Sequence, residues 1–317
     1  MNFICKRLII TAITLFLVSF ITFAAFNVIS GDPATLILGT EATDEQVAAL
    51  RIEMGLDRGL PEQYLSWLLK FLTGSLGNSM RFRGASISDM VLERLPVTFS
   101  LAGLSFIFII LISMPLALFG MGKNNYFIDF LMNTYTTLTI SAPNFFLAVI
   151  FIWIFGVILR LFTPGVYIPY NEDFGGFIGY LIFPSLAIAV PNAAMVIKFL
   201  RGSLSQELDK AYVRTAYSKG GRRRRVLYGH ALKNALIPAL TLLGMIIGDI
   251  FSGSIVIEQV FTIPGIGRLL IASIGSRDYL LVQTLVVYIA FIVVLANTLV
   301  DVAIQLVDPR IRIGSGD

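Results

Sequence analysis

The chain has 317 residues, of which 56% are hydrophobic and 14% charged, and its formal net charge is +4. A mean hydropathy of +0.82 excludes an ordinary soluble domain and places the chain among membrane proteins. Cys5 is the only cysteine and His230 the only histidine, which excludes an intramolecular disulfide and a cysteine metal cluster.

A bilayer core about 30 Å thick needs roughly 20 apolar residues of helix. Six such runs occur, at about Leu8 to Ile29, Val97 to Met121, Phe130 to Phe162, Phe177 to Leu200, Ala235 to Ile257 and Leu280 to Val307. Lys6 and Arg7 before the first run resemble the start of a signal peptide, but the run exceeds the usual length of about 7 to 15 residues, so it is read as a retained helix. Cys5 beside it is read as an inert thiol rather than an acylation site. Pro115, Pro143, Pro184 and Pro191 fall inside runs and predict kinks. Pro164, Gly165, Pro169, Gly175 and Gly176 predict that the third helix stops short and a loop follows.

Between the first two runs, Thr43 with Gln46 predicts a capping box, followed by Val47, Leu50 and Met54 on one face and closed by Gly55. Pro61 predicts the start of a second short helix, YLSWLLKFL, closed by Gly74. It is amphipathic, with Tyr64 and Trp67 expected at headgroup level if this segment is an interfacial cap. A docking surface for an external protein is the other reading.

Basic residues fix the orientation. Lys6, Arg7, Lys123, Arg201, Lys210, Arg214, Lys219, Arg222 to Arg225, Lys233, Arg310 and Arg312 all fall on one side, which places both termini in the cytoplasm. No internal repeat is evident, which argues against an inverted-repeat carrier.

The chemistry of catalysis is absent from the pattern. His230 has no carboxylate or cysteine near it in sequence. No GxxxxGK[ST] motif occurs, since the glycine required before Gly122 and Lys123 is replaced by Ala117, so the chain does not bind ATP through a P-loop of its own. Asp249, Asp301 and Lys198 are the ionisable residues within the spans, and each must face a bundle interior or a water-filled path. Asp249 is the candidate for a translocation route, with a structural contact to a neighbouring helix as the equal alternative. Asp301, one turn after Asn297, reads as an interhelical polar contact.

Ser203 with Gln206 predicts a further capping box, and LDKAYVRTAYSK after it a short helix too polar to span, ended by Gly220 and Gly221. Arg222 to Arg225 follow. They cannot lie in hydrocarbon, and they are expected to meet anionic lipid and hold the loop inside. Nothing beside them makes a nucleic-acid site.

A helix, A-x-x-x-G, a basic loop and a return helix resemble the EAA loop of ABC importer permeases. The Glu-Ala-Ala of that motif falls on Arg214, Thr215 and Ala216, and its glycine on Gly220; the first two depart from it, and His230 and Lys233 replace its late Ile and Pro. YVRTAYSKG at Tyr212 to Gly220 and HALKNALIP at His230 to Pro238 are similar to the peptide and nickel branch. So are Gly31 to Pro33, GLDRGLPEQYLSWL, ERLPVTFSLA at Glu93 to Ala102, EQVFTIPGIGRLL from Glu258, RDYLLVQ and the terminal DPRIR. Gly74, Ser75, Leu76 and Gly77 stand where that branch has GDLG.

The resemblance implies an all-α polytopic membrane protein with six transmembrane helices and the type I ABC importer permease fold. The implied parts are an N-terminal helix (1–30), an extracytoplasmic segment (31–96), a five-helix core (97–308) carrying the coupling loop 201–234, and a cytoplasmic tail (309–317). The implied role is a non-catalytic subunit of the cell inner membrane, without cofactor. Its implied partners are a second homologous permease in a heterodimer, two cytoplasmic ABC ATPases, an extracytoplasmic substrate-binding protein and a di- or oligopeptide substrate, with lipid around it and no nucleic acid. Tyr212, Arg214, Thr215, Ala216 and Gly220 would couple to the ATPase, and Asp249 and Glu258 would line the path. A permease for nickel or a metal chelate is the alternative, and a stand-alone channel or ion-coupled carrier, or a receptor, the alternatives of another class.

Overall fold

A computed structural model describes residues 3–29, 35, 42–79, 81–82, 84–119, 121 and 126–307. The Gly31 to Pro33 and DPRIR motifs, Lys123 and the tail 309–317 lie outside the described residues. The helices are α1 (Phe3–Ile29), α2 (Asp44–Met54), α3 (Leu60–Leu72), α4 (Ile87–Leu118), α5 (Tyr126–Ser141), α6 (Asn144–Phe151, prolonged by a π-helical turn Ile152–Ile158), α7 (Phe174–Leu208), α8 (Ala211–Ser218), α9 (Arg223–Val226, passing through a π-helical turn Leu227–Ala231 into the next helix), α10 (Leu232–Val260), α11 (Ile266–Gly275) and α12 (Tyr279–Val307). Among the described residues no strand forms, only an isolated bridge between Asn78 and Ser86.

α1, α4, α7, α9 with α10, and α12 are long and apolar enough to cross a bilayer. The third apolar run bends at Pro143, where a kink is expected, but more sharply than a kink. It is not one helix but α5 and α6, bent by 102°. Pro143 has no N–H to continue the ladder and disfavours helical backbone at Ala142. The chain therefore leaves the helix after Ser141, and Pro143 stands extended (φ −62°, ψ 142°) as the cap of α6. Pro115, Pro184 and Pro191, together with Pro96 and Pro238, remain inside continuous helices, where neighbouring helices compensate the lost bonds.

Two boundaries also differ. α4 starts at Ile87 rather than Val97, because Ser86 caps it by accepting from the Asp89 N–H at 3.4 Å. α7 continues past Leu200 to Leu208, so Ser203 and Gln206 lie inside it and form no capping box. A cap residue must leave helical backbone, and Ser203 is held within the helix with its hydroxyl turned to the Ala235 carbonyl (3.3 Å). The break comes instead at Lys210, extended at φ −72° and ψ 151°.

The Thr43–Gln46 capping box forms, and Gly55 closes α2 at φ 71°. The side chains of Leu50 and Met54 lie outside what is described. Tyr64 does not sit among headgroups. It is only 4% exposed, its hydroxyl is 2.8 Å from that of Ser19, and its ring lies edge-on to Phe16, Phe20 and Phe23 of α1. α3 is amphipathic enough to lie along a helix as well as along a membrane surface, and α1 offers it an aromatic face.

α7 is the central helix, packed against α4, α5, α6 and α10. Ser185, Ala187, Ala189, Ala193 and Ala194 are fully enclosed. Residues this small let neighbouring backbones approach closely, which is how helices associate where lipid removes the hydrophobic drive. α1 packs on α12 at the edge. Asp301 has the interhelical polar contact expected of it, an ion pair with Arg7, and Thr11 meets Thr298 one turn further along (2.8 Å).

Candidate functional site

α8 is a short helix held outside the spans by its two neighbours. Val213 is fully buried, while Tyr212, Arg214 and Thr215 are exposed and Ala216 is half-buried. Glu207, at the end of α7 and 9% exposed, is the anchor. Its Oε1 accepts from Lys210 Nζ at 2.5 Å and its Oε2 from the Tyr212 hydroxyl at 2.6 Å. Asn234 Nδ2, at the start of α10, donates to the Tyr212 oxygen at 3.1 Å. One tyrosine thus ties α7, α8 and α10 together. Partial burial, and then the bond to Glu207, raise the Tyr212 phenol above its ordinary value of 10.

The far end of α8 is set by two glycines with different requirements. Gly220 takes φ +82°, a left-handed backbone that a side chain disfavours, yet a Cβ there would meet open space. Gly221 donates to the Ala216 carbonyl at 3.0 Å, and a Cβ on it would strike that oxygen and Val226. The turn into α9 is therefore tight on its inner side and open on its outer side. Thr215 turns its hydroxyl back to the Ala211 carbonyl (3.1 Å), leaving Arg214 the outward charged group of α8.

On α10, Met245, Asp249, Ser252, Val256 and Gln259 are exposed. Steps of three and four residues put them on one line along the helix. Leu243, Ile246, Ile250 and Ile257 face the core, and Gly248 abuts Asn297 of α12. An exposed carboxylate midway along an apolar span is costly against lipid, by about 3 kcal/mol, so this line must face protein or water in the assembled membrane.

Glu258, about two and a half turns beyond Asp249, is enclosed. It is 0% exposed. Thr98 of α4 donates to its Oε1 at 2.7 Å, the Arg268 N–H to its Oε2 at 3.0 Å, and the Ile266 N–H to the Thr98 hydroxyl at 3.0 Å. The carboxylate thus caps the N-terminus of α11, where helical N–H groups are unpaired and the dipole favours negative charge. A Cβ on Gly265 or Gly267 would overlap it, so both glycines serve close approach. Between them and α10, Thr262 is held at φ 62°, an uncommon backbone for a β-branched residue, by bonds from Ile263 N to Glu258 O (2.8 Å) and from Arg268 Nη1 to Thr262 O (3.0 Å).

The predicted residues therefore fall in three places: the clamped α8, the line on α10 and the root of the α10–α11 hairpin. Sequence reasoning missed Glu207, Asn234 and Thr98. None carries a local signal, because each acts through a partner on another helix; only EQVFTIPGIG, with its glycines after a carboxylate, hinted at a close approach.

Together these features define a polytopic membrane protein with a short, exposed helix held outside the spans on one side. The chain belongs to the family of binding-protein-dependent transport system inner membrane components: the family profile matches residues 109–313, and that of the family's N-terminal region matches residues 1–102. It is 34% identical over 310 residues to "Probable peptide ABC transporter permease protein y4tP" of Sinorhizobium fredii, covering 98% of this chain and 99% of that one. It is 31% identical over 312 residues to the oligopeptide transport system permease protein AppB of Bacillus subtilis, covering 98% and 99%. The chain is thus a permease subunit of an ABC importer in the inner membrane, working with an ATPase and a substrate-binding protein, and not a solitary channel or carrier.

Proposed function

We propose that this chain forms half of a translocation path for di- or oligopeptides, pairing with a second homologous permease as a heterodimer served by two ATPase subunits and an external binding protein. Both termini and α8 face the cytoplasm, in line with the basic residues on that side. The observation that carries the reading is the clamp Glu207–Tyr212–Asn234, which joins an exposed docking helix to two spans. A push on α8 by the closing ATPases would move α7 and α10 with it. Arg214, Thr215, Ala216 and Gly220 form the contact surface, and Tyr212 transmits the load.

Asp249 lines the path, and Glu258 holds the hairpin at its outer end. The named substrates of the relatives are peptides, which favours these over nickel or a metal chelate. In the reconstituted importer, dipeptides or longer peptides presented by the binding protein should raise ATPase activity, whereas Ni(II) chelates should not. Stimulation by the chelates alone would reverse that choice.

A further inference from the structure

We propose that the arginine run Arg222 to Arg225 is a second docking surface, fitted to an acidic protein face on the ATPase subunit seated at α8; the proposal rests on α8 being the ATPase contact. Position along the helix sets the run apart from the lipid contact expected from sequence. α9, the π-helical turn and α10 form one span from Arg223 to Val260. Its apolar stretch, Ala235 to Ile257, is already about 34 Å long at 1.5 Å per residue, enough for the hydrocarbon core. Arg225 lies about 15 Å further along the axis and Arg222 about 20 Å. The headgroup layer occupies only about 5–8 Å on each side, and an average tilt of about 20° shortens the distance little. With Ala235 to Ile257 filling the hydrocarbon, the backbone of the arginine run lies beyond the headgroup layer.

The arginines stand level with α8. Ser203 against the Ala235 carbonyl fixes α7 beside α10, and α7 then runs about 8 Å further to Leu208 before α8 begins. Gly221 N bonds Ala216 O, making the run and α8 one continuous surface. Residues 207–234 hold eight basic side chains and two acidic ones, and the carboxylate of Glu207 is occupied by Lys210 and Tyr212. All four arginines are exposed, and Tyr228, 48% exposed, follows on the same helix. Arginine with tyrosine is the pairing that anchors protein interfaces, and this sign of charge requires an acidic partner.

The test uses the whole importer in nanodiscs of neutral phosphatidylcholine, and again with anionic phosphatidylglycerol. The triple variant Arg222→Gln, Arg224→Gln, Arg225→Gln should bind the ATPase subunits roughly tenfold more weakly at low salt, equally in both lipids, and the difference should shrink at about 0.5 M salt. The corresponding lysine triple should bind like wild type, which excludes a folding defect. Unchanged binding by the glutamine triple overturns the proposal, and a defect confined to anionic discs overturns it in favour of lipid. If the wild-type permease itself fails to bind the ATPase, the α8 reading falls and the proposal with it.

Discussion

The Tyr212 hydroxyl donates to Glu207 Oε2 at 2.6 Å and receives Asn234 Nδ2 at 3.1 Å, so a single side chain of α8 joins the end of α7 to the beginning of α10. Glu207 stays held by Lys210 when the phenol is removed. Tyr212→Phe therefore spares the fold and loosens α8. It should leave membrane insertion unchanged and lower substrate-stimulated ATPase activity roughly fivefold, the equivalent of about 1 kcal/mol for one hydrogen bond. Because the phenol is raised above its ordinary value, the clamp is fully present below pH 10 and is lost as pH rises through the higher folded value. Equal stimulation in the variant and wild type would remove Tyr212 from the coupling route.

At the root of the α10–α11 hairpin, Glu258→Ala leaves the Thr98 hydroxyl and the Arg268 N–H without their acceptor in a closed site. Each orphaned donor costs about 1–3 kcal/mol. The variant should lose thermostability by several degrees, measured as monodisperse protein remaining after heating. Gly265→Ala should do the same by overlap with the carboxylate, and shortening the acid with Glu258→Asp should partly rescue it. Independent, additive losses would mean that Gly265 and Glu258 do not share one site.

The ion pair between Arg7 and Asp301 has an asymmetric prediction. Arg7→Ala strands a carboxylate at the membrane edge, whereas Asp301→Ala leaves an arginine that can extend to the headgroups. The first should destabilise more, and the double variant should resemble Asp301→Ala. The same thermostability assay decides it, and a double variant worse than both singles would contradict the pairing.

Asp249→Leu should insert and assemble normally but slow uptake at least tenfold, with Asp249→Asn intermediate. Wild-type uptake by the leucine variant would take Asp249 out of the path.

What was legible in the sequence divides by the range of the interactions. Runs of apolar residues gave the spans, and Thr43, Gln46, Gly55, Pro61 and Gly220 marked element ends because caps and turns are local. Ser203 with Gln206 misled, since a capping box has meaning only where the chain is free to leave the helix, and α7 does not end there. Pro143 and Pro191 look alike in sequence. One breaks a helix and the other does not, because neighbouring helices decide whether the lost bond is compensated. Tyr64 read as an interfacial anchor because only the fold reveals that Ser19 and three phenylalanines await it. Glu207, Asn234 and Thr98 stayed invisible for the same reason: their partners lie on other helices.

The most direct measurement of the central claim is ATP-driven uptake of a radiolabelled peptide into proteoliposomes holding the complete importer with Gly220→Trp. A side chain at Gly220 projects into open space beside α8, where the ATPase would dock. Uptake is expected to fall to background while the permease inserts normally and the free ATPase hydrolyses ATP at its own rate. Uptake at the wild-type rate would contradict the assignment of α8 as the helix that receives the work of ATP hydrolysis.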